Sequence, residues 1–194
     1  MKIQYKITLH TYWHCGSGLA AGAQADSLVV KDNKGMPYIP GKTIKGLLRD
    51  AVDEILSFKG ITGASEDYLK AFGYFDDKAT EAHKSESFFT NACLIEQEYK
   101  EITAHNLQQF LYKMVASTAI NGETGTAREH SLRTMEVVVP CTLEGSIIDL
   151  PEGMGELMGQ GMRYVKQLGS GRTRGLGRCT IEITKEEEEE RSNA

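Results

Sequence analysis

Hydrophobic and polar residues alternate over residues 2–9, so that every second side chain is apolar. A period of two predicts a strand with one buried face. Shorter runs rich in β-branched and apolar residues predict further strands at residues 27–31, 87–96, 134–147 and 179–184. A turn rich in Asp, Asn and Gly closes the first of these runs at residues 32–35.

The spacing of apolar residues changes to a helical period after Gly41. Ile44, Leu48 and Val52 fall on one face, and this predicts an amphipathic helix that ends near Phe58. A second amphipathic helix is predicted between residues 154 and 168, and shorter ones at residues 66–72 and 106–114. Residues 116–133 have no burial period and are predicted to project as a loop or arm.

These elements follow one another in the order β-α-β-β-α-β, with insertions. The order predicts an α+β fold with a single ferredoxin-like core, which RRM-type RNA-binding domains share. A length of 194 residues with 40% hydrophobic content favours one domain, expected over residues 1–184. Residues 185–194 are strongly acidic and are expected to form a disordered tail.

The composition favours a cytoplasmic protein with no membrane partner. No apolar run approaches the length of a membrane span, and no signal-like segment opens the sequence. The four cysteines are scattered without CxxC pairs, which indicates reduced thiols and not a zinc site or a disulfide framework.

The net charge of −5 conceals a strong segregation of charge along the chain. Residues 50–101 contain twelve acidic and five basic residues. Residues 33–49 and 168–178 together contain seven basic residues and no acidic residue. Binding of a polyanion depends on such local potential and not on the total charge.

Residues 169–178 contain four glycines and three arginines, and they precede the last predicted strand. Glycine permits close approach of a ligand to the backbone, and the arginine guanidinium matches phosphate oxygens. This segment, here called the glycine-rich loop, is predicted to bind an anion, with a flexible surface turn as the alternative. Lys42 and Lys45 begin the first helix, where the helix dipole favours anions.

Gly41-Lys42-Thr43 superficially matches the end of a P-loop, but the spacing is wrong. The glycine required five positions earlier is Met36, and Pro40 removes a backbone donor from the loop. ATP turnover dependent on Lys42 remains a minor alternative. His14, Cys15 and Ser17 are too close in sequence to form a catalytic triad.

Five segments, in order, resemble the RAMP superfamily of CRISPR-associated proteins. The segment Tyr38-Ile-Pro-Gly-Lys-Thr-Ile-Lys-Gly-Leu-Leu-Arg49 and the glycine-rich loop are similar to two motifs of that family, although Lys42-Thr43 stands where the family usually has two small hydroxyl residues. His14-Cys-Gly-Ser-Gly is similar to the turn after its first strand. Residues 25–32 and 118–127 resemble segments of the backbone subunit of type III effector complexes, although Asn121 departs from the more usual residue there.

The resemblance implies a subunit that stacks with copies of itself and other effector subunits along a CRISPR guide RNA. The first helix and the glycine-rich loop would together hold the guide backbone. A thumb at about residues 116–133 would insert between bases of the RNA. His14 would stack on or hydrogen-bond a nucleotide, or else simply pack in a turn. The RNA-binding residues implied are His14, Lys42, Lys45, Arg49, Thr124, Arg128, Gly169, Ser170, Gly171, Arg172, Arg174, Gly175 and Arg178.

The resemblance also implies that Asp26 cleaves target RNA paired to the guide, with a divalent metal, expected to be Mg²⁺ and held at Asp26. Two alternatives remain open. In the first alternative, the protein is a catalytically silent scaffold subunit and Asp26 is only a turn carboxylate. A guide-processing RAMP endonuclease is a further alternative, but such enzymes generally have two ferredoxin-like domains.

Overall fold

A computed structural model of the chain describes residues 1–21, 25–76 and 80–187. The strands are β1 (Lys2–Leu9), β2 (Tyr74–Asp76), β3 (Glu81–His83), β4 (Phe88–Phe89), β5 (Cys93–Leu94), β6 (Tyr112–Ser117), β7 (Arg133–Val138), β8 (Thr142–Ile148) and β9 (Cys179–Glu187). The helices are α1 (Gly41–Phe58), α2 (Glu66–Phe72), α3 (Glu96–Ala104) and α4 (Gly155–Tyr164). Short 3-10 turns lie at Gln108–Leu111, Glu152–Met154 and Arg172–Arg174.

A mixed α/β architecture is built around an antiparallel sheet in the order β4-β8-β1-β9, with β5 also paired to β8. The alternating residues of β1 are the centre of the core, since Ile3 and Ile7 are fully buried. Leu48 of α1 and Met162 of α4 belong to the same hydrophobic core. The two helices approach closely at Gly161, where a Cβ would lie 3.2 Å from a Val52 methyl carbon.

Two hairpins stand apart from this sheet. Strands β2 and β3 pair in one of them, and β6 and β7 pair over six residues each in the other. The segment between β6 and β7, residues 118–132, corresponds to the predicted thumb and contains an isolated bridge between Ile120 and Ala127. No helix in the described part of the chain is long and apolar enough to cross a membrane.

The predicted strand at residues 134–147 is in fact two strands in different sheets. β7 ends at Val138 and β8 begins at Thr142, with Pro140 between them. Because proline has no backbone N–H, it interrupts a ladder of hydrogen bonds. The predicted strand at 87–96 is likewise divided into β4 and β5, and that at 27–31 forms only isolated bridges.

The predicted helix at residues 106–114 is wrong, because only Gln108–Leu111 form a 3-10 turn and Tyr112 already begins β6. Pairing with β7 overrides the local helical pattern there. Helix α3 was not predicted, and the reason is that none of its residues is fully buried, so it shows little apolar periodicity. Helix α1 and helix α2 lie where they were predicted.

The boundary of the predicted acidic tail is also wrong. β9 continues through Lys185 and Glu186 to Glu187, and these residues pair with the beginning of β1. Lys2 lies 3.8 Å from Glu187, so the charged end of the strand is partly neutralised. The rest of the predicted tail, residues 188–194, lies outside the described residues.

Gly41 allows α1 to begin in contact with the sheet. A Cβ at this position would overlap the backbone carbonyl oxygen of Phe89, while the Gly41 N–H donates to Asn91 Oδ1 at 2.9 Å. The glycine of this motif therefore has a packing role, whatever the helix binds.

Substitution of Gly41 by Ala is therefore expected to destabilise the fold by about 1–3 kcal/mol, the usual cost of overpacking. Gly46→Ala is the matched control within α1, because nothing lies within 4 Å of its Cβ position. It should stabilise by about 1 kcal/mol through helix propensity. Urea unfolding midpoints measure both changes, and a Gly41→Ala variant as stable as the wild type would contradict this packing role.

Candidate nucleic-acid interface

Residues 13–17, here called the central segment, lie between two stretches of backbone. On one side Trp13 pairs with Val138, through N–H···O distances of 3.1 and 2.8 Å. On the other side the N–H groups of Val30 and Ser17 bond to the carbonyl oxygens of Cys15 and Leu28. The Trp13 side chain is fully buried, and its indole N–H donates to the Val139 carbonyl at 3.2 Å. The central segment is thus fixed by backbone pairing and by a large buried anchor.

The glycine-rich loop is fastened to the chain just before and within this segment. Ser170 N donates to the His14 carbonyl at 2.9 Å, and Gly177 N donates to the Tyr12 carbonyl at 2.8 Å. A Cβ on Gly169 would overlap the His14 carbonyl oxygen, and the φ of +79° also favours glycine there. Gly169 and Gly177 thus serve backbone packing. The sequence had suggested that such glycines admit a ligand.

The three arginines of the loop have solvent-exposed side chains. Arg172, Arg174 and Arg178 are all exposed, and within the described ranges none of them forms an ion pair. Arg172–Arg174 form a 3-10 turn between Gly171 and Gly175, both of which have positive φ. The turn presents Arg172 and Arg174, two positions apart and both exposed, to an anionic ligand.

The start of α1 lies beside the central segment. Burial raises the pKa of the Cys15 thiol, and a hydrogen bond with the Thr43 side chain and the charge of Lys42 oppose that rise. Lys42 is exposed, and its charge acts on a thiol of the central segment, to which the glycine-rich loop is also bonded.

Lys45 and Arg49 are not brought to the glycine-rich loop as the sequence suggested. Lys45 Nζ donates to Ser85 Oγ at 2.7 Å, and burial, then the charge of Arg49, lowers the pKa of Lys45. Arg172 instead lines a cavity of about 270 Å³ with Leu47 and Glu54, which lie on the opposite flank of α1 at 3.6 residues per turn. Lys45 and Arg49 therefore lie on the flank of α1 opposite to the one that Arg172 faces.

The His14 side chain is only 1% exposed. Its Nδ1 lies 2.6 Å from the Glu136 carbonyl oxygen, and its Nε2 lies 3.0 Å from Ser27 Oγ. With both ring nitrogens engaged, the ring is packed in the turn, which was the alternative to nucleotide stacking. His14 links β7 to the segment that follows Asp26.

Asp26 lies on an exposed bend at the outer edge of β7. Its backbone N–H donates to the Thr134 carbonyl at 2.8 Å, and its Oδ2 accepts from the Thr134 N–H at 2.7 Å. The carboxylate is held by the protein yet open to a ligand. Among the described residues, no three His, Cys, Asp or Glu side chains converge as a metal site, so Asp26 stands as a single carboxylate.

The buried carboxylate of Glu136, which is 8% exposed, was missed by the sequence analysis. Its Oε2 accepts from the Val29 N–H at 3.0 Å, and its Oε1 lies 2.8 Å from Lys31 Nζ. Lys31 also lies over the Tyr112 ring, 3.7 Å from its centroid. The sequence offered only a weak signal of this arrangement, because Glu136 is one of two acidic residues in the predicted apolar run of residues 134–147.

The thumb residues form local turns on an exposed arm. Asn121 Oδ1 accepts from the Glu123 N–H at 3.0 Å, a function of asparagine in turns. Thr124 Oγ1 lies 2.8 Å from Thr126 Oγ1, and the Arg128 N–H donates to the Ala119 carbonyl. Thr124 and Arg128 are both exposed and remain candidates for RNA contact.

A family model, the RAMP superfamily, matches residues 6–180 of this chain. The chain belongs to the RAMP superfamily. The match includes the central segment, the Asp26 bend, α1 and the glycine-rich loop. A search of curated protein sequences gives no significant match.

Two solved structures show the same fold at low sequence identity. A chain from the cryo-EM structure of the type III-B Cmr-beta bound to cognate target RNA aligns with a TM-score of 0.70 at 11% identity, covering 94% of this chain and 97% of that chain. A chain from the type III-B Cmr-beta in the apo state aligns with a TM-score of 0.67 at 12% identity, covering 95% and 98%. Nearly the whole of each chain is thus comparable with this RAMP protein in architecture.

The anchoring of the loop can be tested by comparing two of its glycines. Gly169→Ala and Gly175→Ala both introduce a side chain at positive φ, but only the first also overlaps the His14 carbonyl. We expect Gly169→Ala to lower the free energy of unfolding by about 1–3 kcal/mol more than Gly175→Ala, the range of overpacking costs. Thermal unfolding in matched buffers measures the difference, and equal losses would argue against close anchoring at His14.

Proposed function

We propose that this RAMP protein is a backbone subunit of a type III CRISPR effector complex in the cytoplasm, which holds the guide RNA and cleaves paired target RNA at Asp26. One observation carries the proposal. His14 of the central segment is bonded both to Ser170 of the glycine-rich loop, which carries the exposed arginines, and to Ser27, the residue after the exposed Asp26. Cations with an accessible carboxylate suit the binding and cleavage of a polyanion.

The topology supports a single ferredoxin-like core within this proposal. β1, α1, the short strands β4 and β5 (both paired with β8), β8, α4 and β9 occur in the order β-α-β-β-α-β, with insertions, and the antiparallel sheet has the order β4-β8-β1-β9. That is the connectivity of the split βαβ arrangement. The β6–β7 hairpin with its thumb is then an insertion between two strands of the core.

The proposed guide contacts are directed to the RNA backbone. Arg172, Arg174 and Arg178 are exposed and permanently charged, and such charges suit contacts to phosphates, which carry no sequence information. Such contacts suit a subunit that must hold many different guide sequences. The two Cmr-beta structures of similar fold, one of them bound to cognate target RNA, support an RNA ligand and neighbouring subunits.

The proposed cleavage reaction uses the 2′-hydroxyl next to the scissile phosphate. The Asp26 carboxylate accepts the 2′-OH proton, and the 2′-oxygen forms a bond to phosphorus while the bond to the 5′-oxygen breaks. The departing 5′-oxygen takes a proton from water, and a 2′,3′-cyclic phosphate remains. The Thr134 N–H, bonded to Oδ2, orients the carboxylate for this role.

A divalent cation, expected to be Mg²⁺, fits this site only in part. Mg²⁺ commonly binds through one or two carboxylates, with water and phosphate oxygens as its other ligands. Asp26 supplies one such carboxylate, and the RNA phosphates would have to supply further ligands. When bound, the ion would neutralise charge on the reacting phosphate.

A catalytically silent scaffold is the second candidate function. The observation that favours it is the hydrogen bond from Thr134 to Asp26, which is also what a structural turn carboxylate would make. The guide-processing alternative has less support, because the described chain contains one sheet of the proposed core type and not two.

Removal of single arginines tests the proposed backbone contacts. Arg172→Ala or Arg174→Ala should lower the slope of log K against log salt by about 0.7–0.9, the value for one lost phosphate contact. Fluorescence anisotropy with labelled guide RNA measures that slope. Lys100→Ala, which removes an exposed lysine of α3 paired with Glu96, is the control and should leave it unchanged. An unaltered slope for both arginine variants would contradict the proposed surface.

Substitution of Asp26 by Ala in the assembled complex tests the proposed chemistry. Target cleavage should fall by about 10²–10⁴-fold, the usual contribution of a general base, while guide binding is retained. Cleavage is followed on labelled target RNA under single-turnover conditions. Glu182→Ala removes an exposed carboxylate of β9 and should cleave at the wild-type rate. Cleavage that persists without Asp26 would refute its role, and a wild-type complex that binds but never cleaves would establish the silent scaffold.

A further inference from the structure

We propose that Glu136 is a positioning residue for Asp26, and that its carboxylate couples the Asp26 segment to the base of the thumb. The proposal rests on the proposed function, since it assumes cleavage at Asp26. Glu136 lies on β7, one strand of the hairpin that carries the thumb. Its side chain reaches across to residues 29–31, which follow Asp26 in the chain.

The backbone contacts place Asp26 directly on this hairpin. β7 pairs with β6 along one edge and with residues 26–27 along the other. Asp26 exchanges hydrogen bonds with Thr134, and Glu136 N donates to the Ser27 carbonyl at 3.0 Å. These contacts attach residues 26 and 27 to β7. Leu28 and Val30 are bonded to the central segment instead, so the backbone of residues 28–31 has no direct attachment to the backbone of β7.

The Glu136 side chain supplies that attachment. Val29 is 3% exposed, so its backbone N–H needs a partner, and Glu136 Oε2 is that partner at 3.0 Å. The other oxygen is paired with Lys31 at 2.8 Å. A buried carboxylate is unfavourable unless such partners satisfy it, and its loss would leave a buried donor unpaired. The arrangement therefore holds residues 26–31 in one position against β7.

A consequence follows for the thumb. Because β6 and β7 continue directly into residues 118–132, any displacement of the thumb base moves the strand on which Asp26 rests. A shift of about 1 Å in a reacting group can reduce a rate about 10²-fold. RNA seated on the thumb would thus act on the proposed catalytic carboxylate through Thr134, which is bonded to it directly, and through Glu136, which holds the residues that follow it.

The test compares Glu136→Leu, Glu136→Gln and the control Glu144→Leu, an exposed residue of β8, in complexes assembled with guide RNA. At saturating target, Glu136→Leu should cleave about 10–100-fold more slowly, with guide and target affinities unchanged. Glu136→Gln keeps an oxygen that can accept from Val29 and should lose less. Glu144→Leu should cleave at the wild-type rate. Amide hydrogen exchange at Val29 should accelerate most in Glu136→Leu.

A wild-type cleavage rate in Glu136→Leu despite faster exchange at Val29 would overturn the proposal. So would a loss of guide binding that parallels the loss of rate, since that is general unfolding and not positioning. If the leucine variant does not fold, Glu136→Gln decides, with a several-fold loss expected and no loss contradicting it. Asp26→Ala separates the two claims, because cleavage that persists there refutes the proposed function and not the coupling of Val29 to Glu136.

Discussion

Backbone pairing around the central segment is the constraint on which the other features depend. Residues 13–17 are fixed by Val138 on one side and by residues 28–30 on the other, with Trp13 buried beneath. The glycine-rich loop is attached to the chain just before and within this segment by backbone hydrogen bonds to the carbonyl groups of Tyr12 and His14. A loop that is rich in glycine loses much conformational entropy when it folds. These hydrogen bonds help to hold it in one conformation.

This arrangement separates residues that build the surface from those that can act on a ligand. The side chain of His14 is buried, and the backbones of Gly169 and Gly177 pack closely against other backbone groups. Arg172, Arg174 and other exposed polar side chains stand on that frame and are open to solvent. The motif residues of this chain thus divide into buried scaffold residues and exposed residues, and that division depends on burial and not on residue type.

Sequence periodicity predicted the core far better than the site. In β1 and α1 the spacing of apolar residues matches the spacing of buried residues, and both elements were found where expected. Helix α3 was missed because it buries no residue completely, and the break between β7 and β8 needed knowledge of which sheet each strand joins. The contacts of Glu136 with Val29 and Lys31 could not be predicted, because these partners are more than a hundred positions away in the sequence.

Ultraviolet cross-linking of guide RNA in the complex assembled from this protein tests the central claim most directly. If the surface around the central segment holds the guide, cross-linked peptides will come from residues 168–178 and from the start of α1 at Lys42. The protein will also carry guide-length RNA as a multimer through purification. Cross-links confined to other faces, such as α3, or a monomer free of RNA at low salt, would contradict the account.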